Sequence, residues 1–347
     1  MPEKLLHRMW QRVASWVTDH AQHVTVRFMP DADGEPIHPH AGYLRLWLAE
    51  GFLARQRVWG ANQFPALHGG VSLDVSAGER ATFTSFSRPP DAWTVPGAQL
   101  DFPITTLLPF AGGTVEVEAA LYEARTDGPL GTAIELMSGL AALLGPPLAT
   151  AAVVADRIST GLDSVLSSAG AQPVLALHAA LVSPGGGGTA VRPGYLAVLA
   201  SPESELAGTP VIHHGRLHLR NGRERVPPTG VDYLVVRVEC RTERDDWRFP
   251  ELDDLIRAAG VALIHGHRDT FRALRTDAIA RAWNSADLTP ADRKRVALLV
   301  RDELDGLGEL GIVPGPQRSL DTLAAERLVT ADDPRLDGLT LPQLIAV

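Results

Sequence analysis

The stretch Gly131–Ser168 reads GTAIELMSGLAALLGPPLATAAVVADRISTGLDSVLSS. It is the longest segment with helical apolar spacing and almost no charge, and β-like patterning lies on both sides of it. Between Ala133 and Leu144, six apolar side chains (Ile134, Leu136, Met137, Leu140, Leu143 and Leu144) surround most of a helix. Only Glu135, Ser138, Gly139 and Ala142 form a less apolar face. A helix that is apolar nearly all round is a buried one. Gly145-Pro146-Pro147 ends it, because proline lacks an N–H and disfavours a helical residue before it. A second helix is expected from Leu148 to Leu166, with Leu148, Ala151, Ala155, Ile158, Leu162 and Val165 along one face. The first helix, at about 13 residues and roughly 20 Å, is short of the roughly 30 Å hydrocarbon core of a bilayer. The second carries Asp156, Arg157 and Asp163. The stretch therefore predicts a buried helical hairpin in a water-soluble protein.

Working outward, the expected class is α+β. Two β-rich, sandwich-like antiparallel units pack around the central apolar hairpin, and a helical region follows. The expected segments are an amphipathic helix at 1–22, a β-rich unit at 23–130 and the hairpin at 131–168. A second β-rich unit at 169–249, a helical region at 250–310 and a tail at 311–347 complete the chain.

The first segment places Leu5, Leu6, Met9, Trp10, Val13, Trp16 and Val17 on one stripe, with Lys4, His7, Arg8, Gln11 and Arg12 opposite. From His23 the period changes to two. His23–Met29, Tyr43–Leu48, Val71–Val75, Ala81–Phe86 and Thr114–Tyr122 read as short strands. Pro89–Pro109 reads as a long proline-rich loop. After the hairpin, Pro173–Val182, Tyr195–Ala200, Val211–His214, Arg216–Leu219 and Tyr233–Arg241 read as a second antiparallel set. Asn221-Gly222 is a hairpin signal. From Pro250 helices are expected at Glu251–Ala259, Thr270–Trp283 and from Thr289-Pro290 to about Leu307, with a short buried strand at Val261–Ile264. Thr289 is the expected N-cap, with Pro290 at the first helical position.

Composition bounds the function. Hydrophobic residues make up 45% and charged residues 21% of 347, ordinary values for a globular chain. A net charge of −9 opposes broad nucleic-acid binding. A single cysteine, Cys240, excludes an intrachain disulfide and any multi-cysteine zinc site, which fits a reducing cytoplasm. Lys4 and Lys294 are the only lysines; the other basic residues are arginine, a bias expected of a GC-rich bacterial genome. No secretory h-region is seen near the start.

Few residues point to chemistry. His265-Gly-His267-Arg-Asp269 offers two imidazoles and a carboxylate at alternate positions, a spacing that can ligate a divalent metal. The fragment resembles the opening of the H-x-H-x-D-H motif of metallo-β-lactamase-fold hydrolases. It departs from that motif at Thr270, and no histidine follows His267, so membership is not assigned. His213, His214 and His218, and His38 with His40, read as surface histidines. Cys240 reads as an inert thiol. The four glycines Gly185–Gly188 lack the Lys-Ser/Thr of a phosphate loop, and neither a nucleophile elbow nor a dinucleotide fingerprint occurs. No catalytic residue and no cofactor is assigned.

The expected function is a non-catalytic protein-interaction or scaffold subunit of a cytoplasmic bacterial assembly. Its partners are other proteins or further copies of the chain, without nucleic acid or membrane. Trp10 and Trp16 on the first helix, Arg220 and Arg223 in the arginine-rich loop, and Leu344 and Ile345 in the apolar tail are the expected contact residues. The alternatives are a metal-dependent hydrolase centred on His265, His267 and Asp269, and a membrane-inserting effector that uses the 133–166 hairpin.

Overall fold

A computed structural model describes residues 3–52, 54, 63–74, 80–87, 99–125, 172–310 and 319–346. The 131–168 stretch, and with it the expected hairpin, lies outside the described residues. Those described form a mixed α+β structure of three antiparallel sheets and six α-helices. They divide into a strand-rich unit ending at Thr242 and a helical unit beginning at Glu243.

In the strand-rich unit, α1 (Glu3–Asp19) is followed by thirteen strands. The largest sheet contains β1 (Thr25–Pro30), β9 (Gly194–Leu199), β13 (Tyr233–Arg241), β2 (Tyr43–Phe52) and β5 (Gln99–Pro103), in that order. The short β6 (Leu108–Pro109) pairs farther along the same edge of β2, opposite Tyr43 and Leu44. A four-stranded sheet has the order β4 (Arg80–Ser87), β3 (Gln63–Asp74), β7 (Thr114–Arg125), β8 (Pro173–Val182). A small sheet is made by β10 (Thr209–His213), β11 (Arg216–Asn221) and β12 (Glu224–Val226).

This topology corrects the expectation of separate β-rich units at 23–130 and 169–249. Strands from before and after the central stretch share sheets: β1 pairs with β9, β2 with β13, and β7 with β8. Alternation says which face a strand buries, not which strand it pairs with. The Pro89–Pro109 loop is likewise corrected, since β5 and β6 fall inside it. Each is a brief edge pairing, and edge positions tolerate proline.

Alternation does place the cores. On the four-stranded sheet, Leu67, Val71, Leu73, Val115, Val117, Leu121, Leu175 and Leu177 share one face and are fully buried. Gly69 lies on that face, and a Cβ there would come within 2.7 Å of the Ile104 side chain, just beyond β5. On the large sheet, Met29, Ala197, Leu199, Tyr233 and Val235 share a face with Phe52, and Leu217 and Leu219 of the small sheet pack on them. Helix α1 lies over β8, with Val13 fully buried. Trp10 sets the edge of its ring on His178, with centroids 5.9 Å apart.

The helical unit contains α2 (Pro250–Ile264), α3 (Arg268–Trp283), α4 (Pro290–Leu310), α5 (Leu320–Arg327) and α6 (Leu341–Ile345). The strand expected at Val261–Ile264 is instead the last turn of α2. Gly260 in a helix costs about 1 kcal/mol relative to alanine, and Leu252, Ile256, Ala259 and Gly260 offset this by burial. The helix stops at Gly266, whose φ of +71° suits glycine. Thr289 caps α4 as expected, its Oγ1 accepting from the Asp292 N–H at 3.3 Å. The tail shares this unit's core, with Leu320, Leu323 and Leu344 fully buried. Arg275 holds it there: the guanidinium pairs with Asp305 at 2.6 and 3.0 Å and donates to the carbonyls of Leu344 and Ile345. Among the described residues no helix is long and apolar enough to cross a membrane.

Candidate functional site

The small sheet gathers charge by register. The turn between β10 and β11 is His214-Gly215, with φ of 51° and 74°. Two successive positive φ values are what a two-residue hairpin of this twist demands, and His214 pays a steric cost that glycine does not. Gly222-Arg223 turns β11 into β12, as the Asn-Gly signal implied. Leu217 and Leu219 then point into the core. The other side carries His213 opposite Arg216, Val211 opposite His218, and Arg220 between Thr209 and Arg225. No carboxylate occupies any of these strand positions.

The groups on this face are close. The rings of His213 and His214 are 4.0 Å apart and those of His213 and His218 5.5 Å. Arg225 Nη1 lies 3.5 Å from His213 Nδ1. Desolvation, and then the neighbouring charges of His214, Arg225 and His218, hold the His213 imidazole below its ordinary range. Among the described residues, Arg216, Arg220 and Arg225 have no carboxylate within salt-bridge distance.

Beneath the sheet, Glu50 ties it down. Its buried carboxylate accepts from the Leu217 N–H at 2.8 Å and the Tyr233 hydroxyl at 2.6 Å. Burial raises its pKa, opposed by those two bonds and by Arg216 and His218.

The face borders an open cleft of about 460 Å³. Arg220, Arg225 and His213 line one side, and Arg27, Met29 and Asp31 of the β1 region line the other. Pro210 and Ile212 of β10 also line it. Arg27 is engaged by Glu203 at 3.2 Å.

A second polar cluster is sealed. On the four-stranded sheet the face opposite the leucines carries His68, Ser72, Glu118 and Tyr122, with Glu116 and His178 beside them. His68 Nε2 is 3.6 Å from Glu118 Oε2, and their side chains are 2% and 0% exposed. Gly70, directly across from Glu118, leaves room for the imidazole: a Cβ there would lie 3.5 Å from Nε2. Neither Glu118 oxygen has a hydrogen-bond donor among the described residues. Desolvation pushes His68 down to about 4 and Glu118 well above the carboxylate range, where Glu116 adds to the rise. Both groups are therefore held neutral, and a 3.6 Å contact is not a hydrogen bond. Enclosure keeps this pair from touching a solute. Sequence reading missed it because His68 sits between apolar neighbours and carries no spacing signal.

A third cluster satisfies itself. Glu239 accepts from Arg45 at 2.9 Å, Trp47 Nε1 at 2.7 Å and Arg241 at 2.5 Å. Burial opposes ionisation, but these bonds prevail and the carboxyl falls to about 2.

Among the expected contact residues, Arg220 lines the cleft and Arg223 occupies the exposed β11–β12 turn. Trp10 is half-buried against His178, and Trp16 stacks on His20 with centroids 4.2 Å apart. Both tryptophans thus contact their own chain. Leu344 is fully buried and Ile345 packs on the same core, so the tail is not the free apolar surface expected. The reason is covalent economy: a short apolar helix finds its nearest hydrophobic surface in the unit it belongs to.

The candidate metal ligands lie at the joint of α2 and α3. His265 follows the last residue of α2, and His267 precedes α3. Asp269 is fully exposed and pairs with Arg272 at 3.5 Å. The two imidazole centroids are 6.0 Å apart. Among the described residues no group of three His, Cys, Asp or Glu is arranged to hold a metal ion. The Cys240 thiol is pushed up to about 12 by burial, with Glu239 and Asp31 adding to it, the opposite of an activated nucleophile.

The chain matches no family model, no curated protein and no solved structure in the comparisons made.

Proposed function

We propose that this chain is a non-catalytic protein-interaction subunit of a cytoplasmic bacterial assembly, and that its contact surface is the basic face and cleft of the β10–β12 sheet. One observation carries the reading. His213, Arg216, His218, Arg220 and Arg225 share an exposed face without a carboxylate among them, in a chain whose net charge is −9. Charge segregated in this way raises association rates and selects partners more than it stabilises a fold. The buried titratable groups are, by contrast, enclosed at His68–Glu118 or satisfied by their own partners at Glu239.

The finer architecture belongs to the same proposal. The leucine-rich face of the four-stranded sheet turns toward the large sheet as in a two-layer sandwich, a packing supported by the Gly69–Ile104 approach.

Size-exclusion chromatography with light scattering, together with affinity capture from the native host, tests the interaction. The expected result is a defined complex that is lost in Arg220→Glu/Arg225→Glu. A strict monomer that retains nothing from the host sinks the reading.

A further inference from the structure

The cleft beside the basic face has two properties that together describe an occupant. The first is unbalanced charge. Arg220 and Arg225 are directly opposed across β11 and β12. Like charges in that position repel, and neither has an acidic partner among the described residues. Both are exposed and both line the cleft. A pair of guanidinium groups held side by side on a sheet is preset for carboxylates, which each can bind through two parallel N–H donors.

The second is strand edge. Among the described residues β1 pairs only with β9, and β10 only with β11. Both of these edge strands contribute to the lining of the same cleft, which includes Arg27 to Ala32 and Thr209 to His213. An open edge offers main-chain donors and acceptors to an extended peptide. The same two strands also give the lining apolar side chains, Met29, Pro210 and Ile212, beside the one carboxylate of Asp31. The side chains of a peptide can fill such a floor; a sugar-phosphate chain cannot. The net charge of −9 also repels a long polyanion while allowing a short acidic segment to be held locally.

From these we infer that the cleft receives an extended Asp/Glu-rich segment of a partner protein, its carboxylates on Arg220 and Arg225 and its main chain lying along the open edges of β1 and β10. This rests on the interaction reading above and specifies the partner's chemistry.

The test uses the full chain and a fluorescein-labelled peptide in which glutamate alternates with valine and threonine. Binding is followed by fluorescence anisotropy at about 50 mM and about 300 mM salt, which bracket a severalfold change in screening. The expected result is saturable binding that weakens at the higher salt. Arg220→Glu/Arg225→Glu is expected to weaken it about tenfold or more. Arg248→Glu, on an exposed arginine of the helical unit, leaves it unchanged. Circular dichroism establishes that each variant is folded. Gly215→Val, which strains the β10–β11 turn at a φ of +74°, gives a second route that leaves both arginines in place, and it should also weaken binding. Three results overturn the inference: no saturable binding, binding unaffected by the double charge reversal in a folded variant, or tighter binding of a single-stranded oligonucleotide than of the peptide. If the peptide fails while the double reversal still abolishes a native complex, the acidic segment is wrong and the interaction reading survives. If the peptide binds but the chain proves a strict monomer without partners, the assembly reading is the one that falls.

Discussion

The polar face of the four-stranded sheet and the basic face of the small sheet are built by the same rule and end in opposite states. In each, antiparallel register brings polar side chains from separate strands to one side: His68 and Glu118 in one, His213, Arg216, His218, Arg220 and Arg225 in the other. The first set is sealed, and desolvation drives His68 and Glu118 to their neutral forms. The second is open to solvent and keeps its guanidinium charges. Alternation thus gathers titratable groups, and what covers the sheet decides whether they act as charge.

The sharpest way to test this contrast is acid titration. His68 has a folded pKa of about 4 against an ordinary 6.5. The unfolded chain therefore binds a proton that the folded chain refuses between those values. Stability falls as pH drops from about 6.5 to about 4, by on the order of 3 kcal/mol. Urea denaturation across that range should show this limb. His68→Gln should flatten it, and an unchanged limb in that variant would mean that the imidazole is not sealed.

Glu239 offers the intermediate case of a carboxylate that is partly buried but fully partnered. Its folded pKa of about 2 lies below the ordinary 4.5. Its contribution is complete above about 4.5 and fades as pH falls toward about 2. Glu239→Gln should cost about 2 kcal/mol at neutral pH and little at the acid end. A cost that does not vary with pH would show that packing, not charge, explains it.

Glu118 should behave in the reverse sense. Because its folded pKa is raised, the folded state loses stability as pH climbs above the unfolded value. Glu118→Gln removes that penalty and should raise stability at pH 8 by about 1 kcal/mol. A destabilised variant at that pH would place an unseen donor on the carboxylate.

The smallest effect belongs to the open face. Arg220→Ala should leave the denaturation midpoint within about 0.5 kcal/mol of the parent, as exposed substitutions do. Peptide binding should nonetheless decline. A large stability loss would make this arginine part of the fold rather than of a recognition surface.

Legibility in the sequence followed the same division. The strands at Thr114–Tyr122, Pro173–Val182 and Tyr233–Arg241 could be read because each alternates on its own. Thr289-Pro290 could be read as a helix start because a cap is a local hydrogen bond. The last turn of α2 reads as strand in the sequence. Gly260 and the β-branched residues after it speak locally against a helix, and only burial against neighbouring helices overrides them. Arg220 and Arg223 were legible as an arginine-rich hairpin. That Arg220 pairs with Arg225 across β11 and β12, and that both line a cleft together with β1, was not.

The sequence alone determined the α+β class, most strand and helix positions, the hairpin turn that follows Asn221 and the excess of negative charge. Each depends on residues within a few positions of one another or on a simple sum. The tertiary structure alone decided that strands distant in the chain share sheets, that His68 meets Glu118, that Leu344 lies inside its own core and that the arginines of the small sheet are exposed. Each of these depends on which surface covers which, a free-energy balance over contacts that no local pattern encodes.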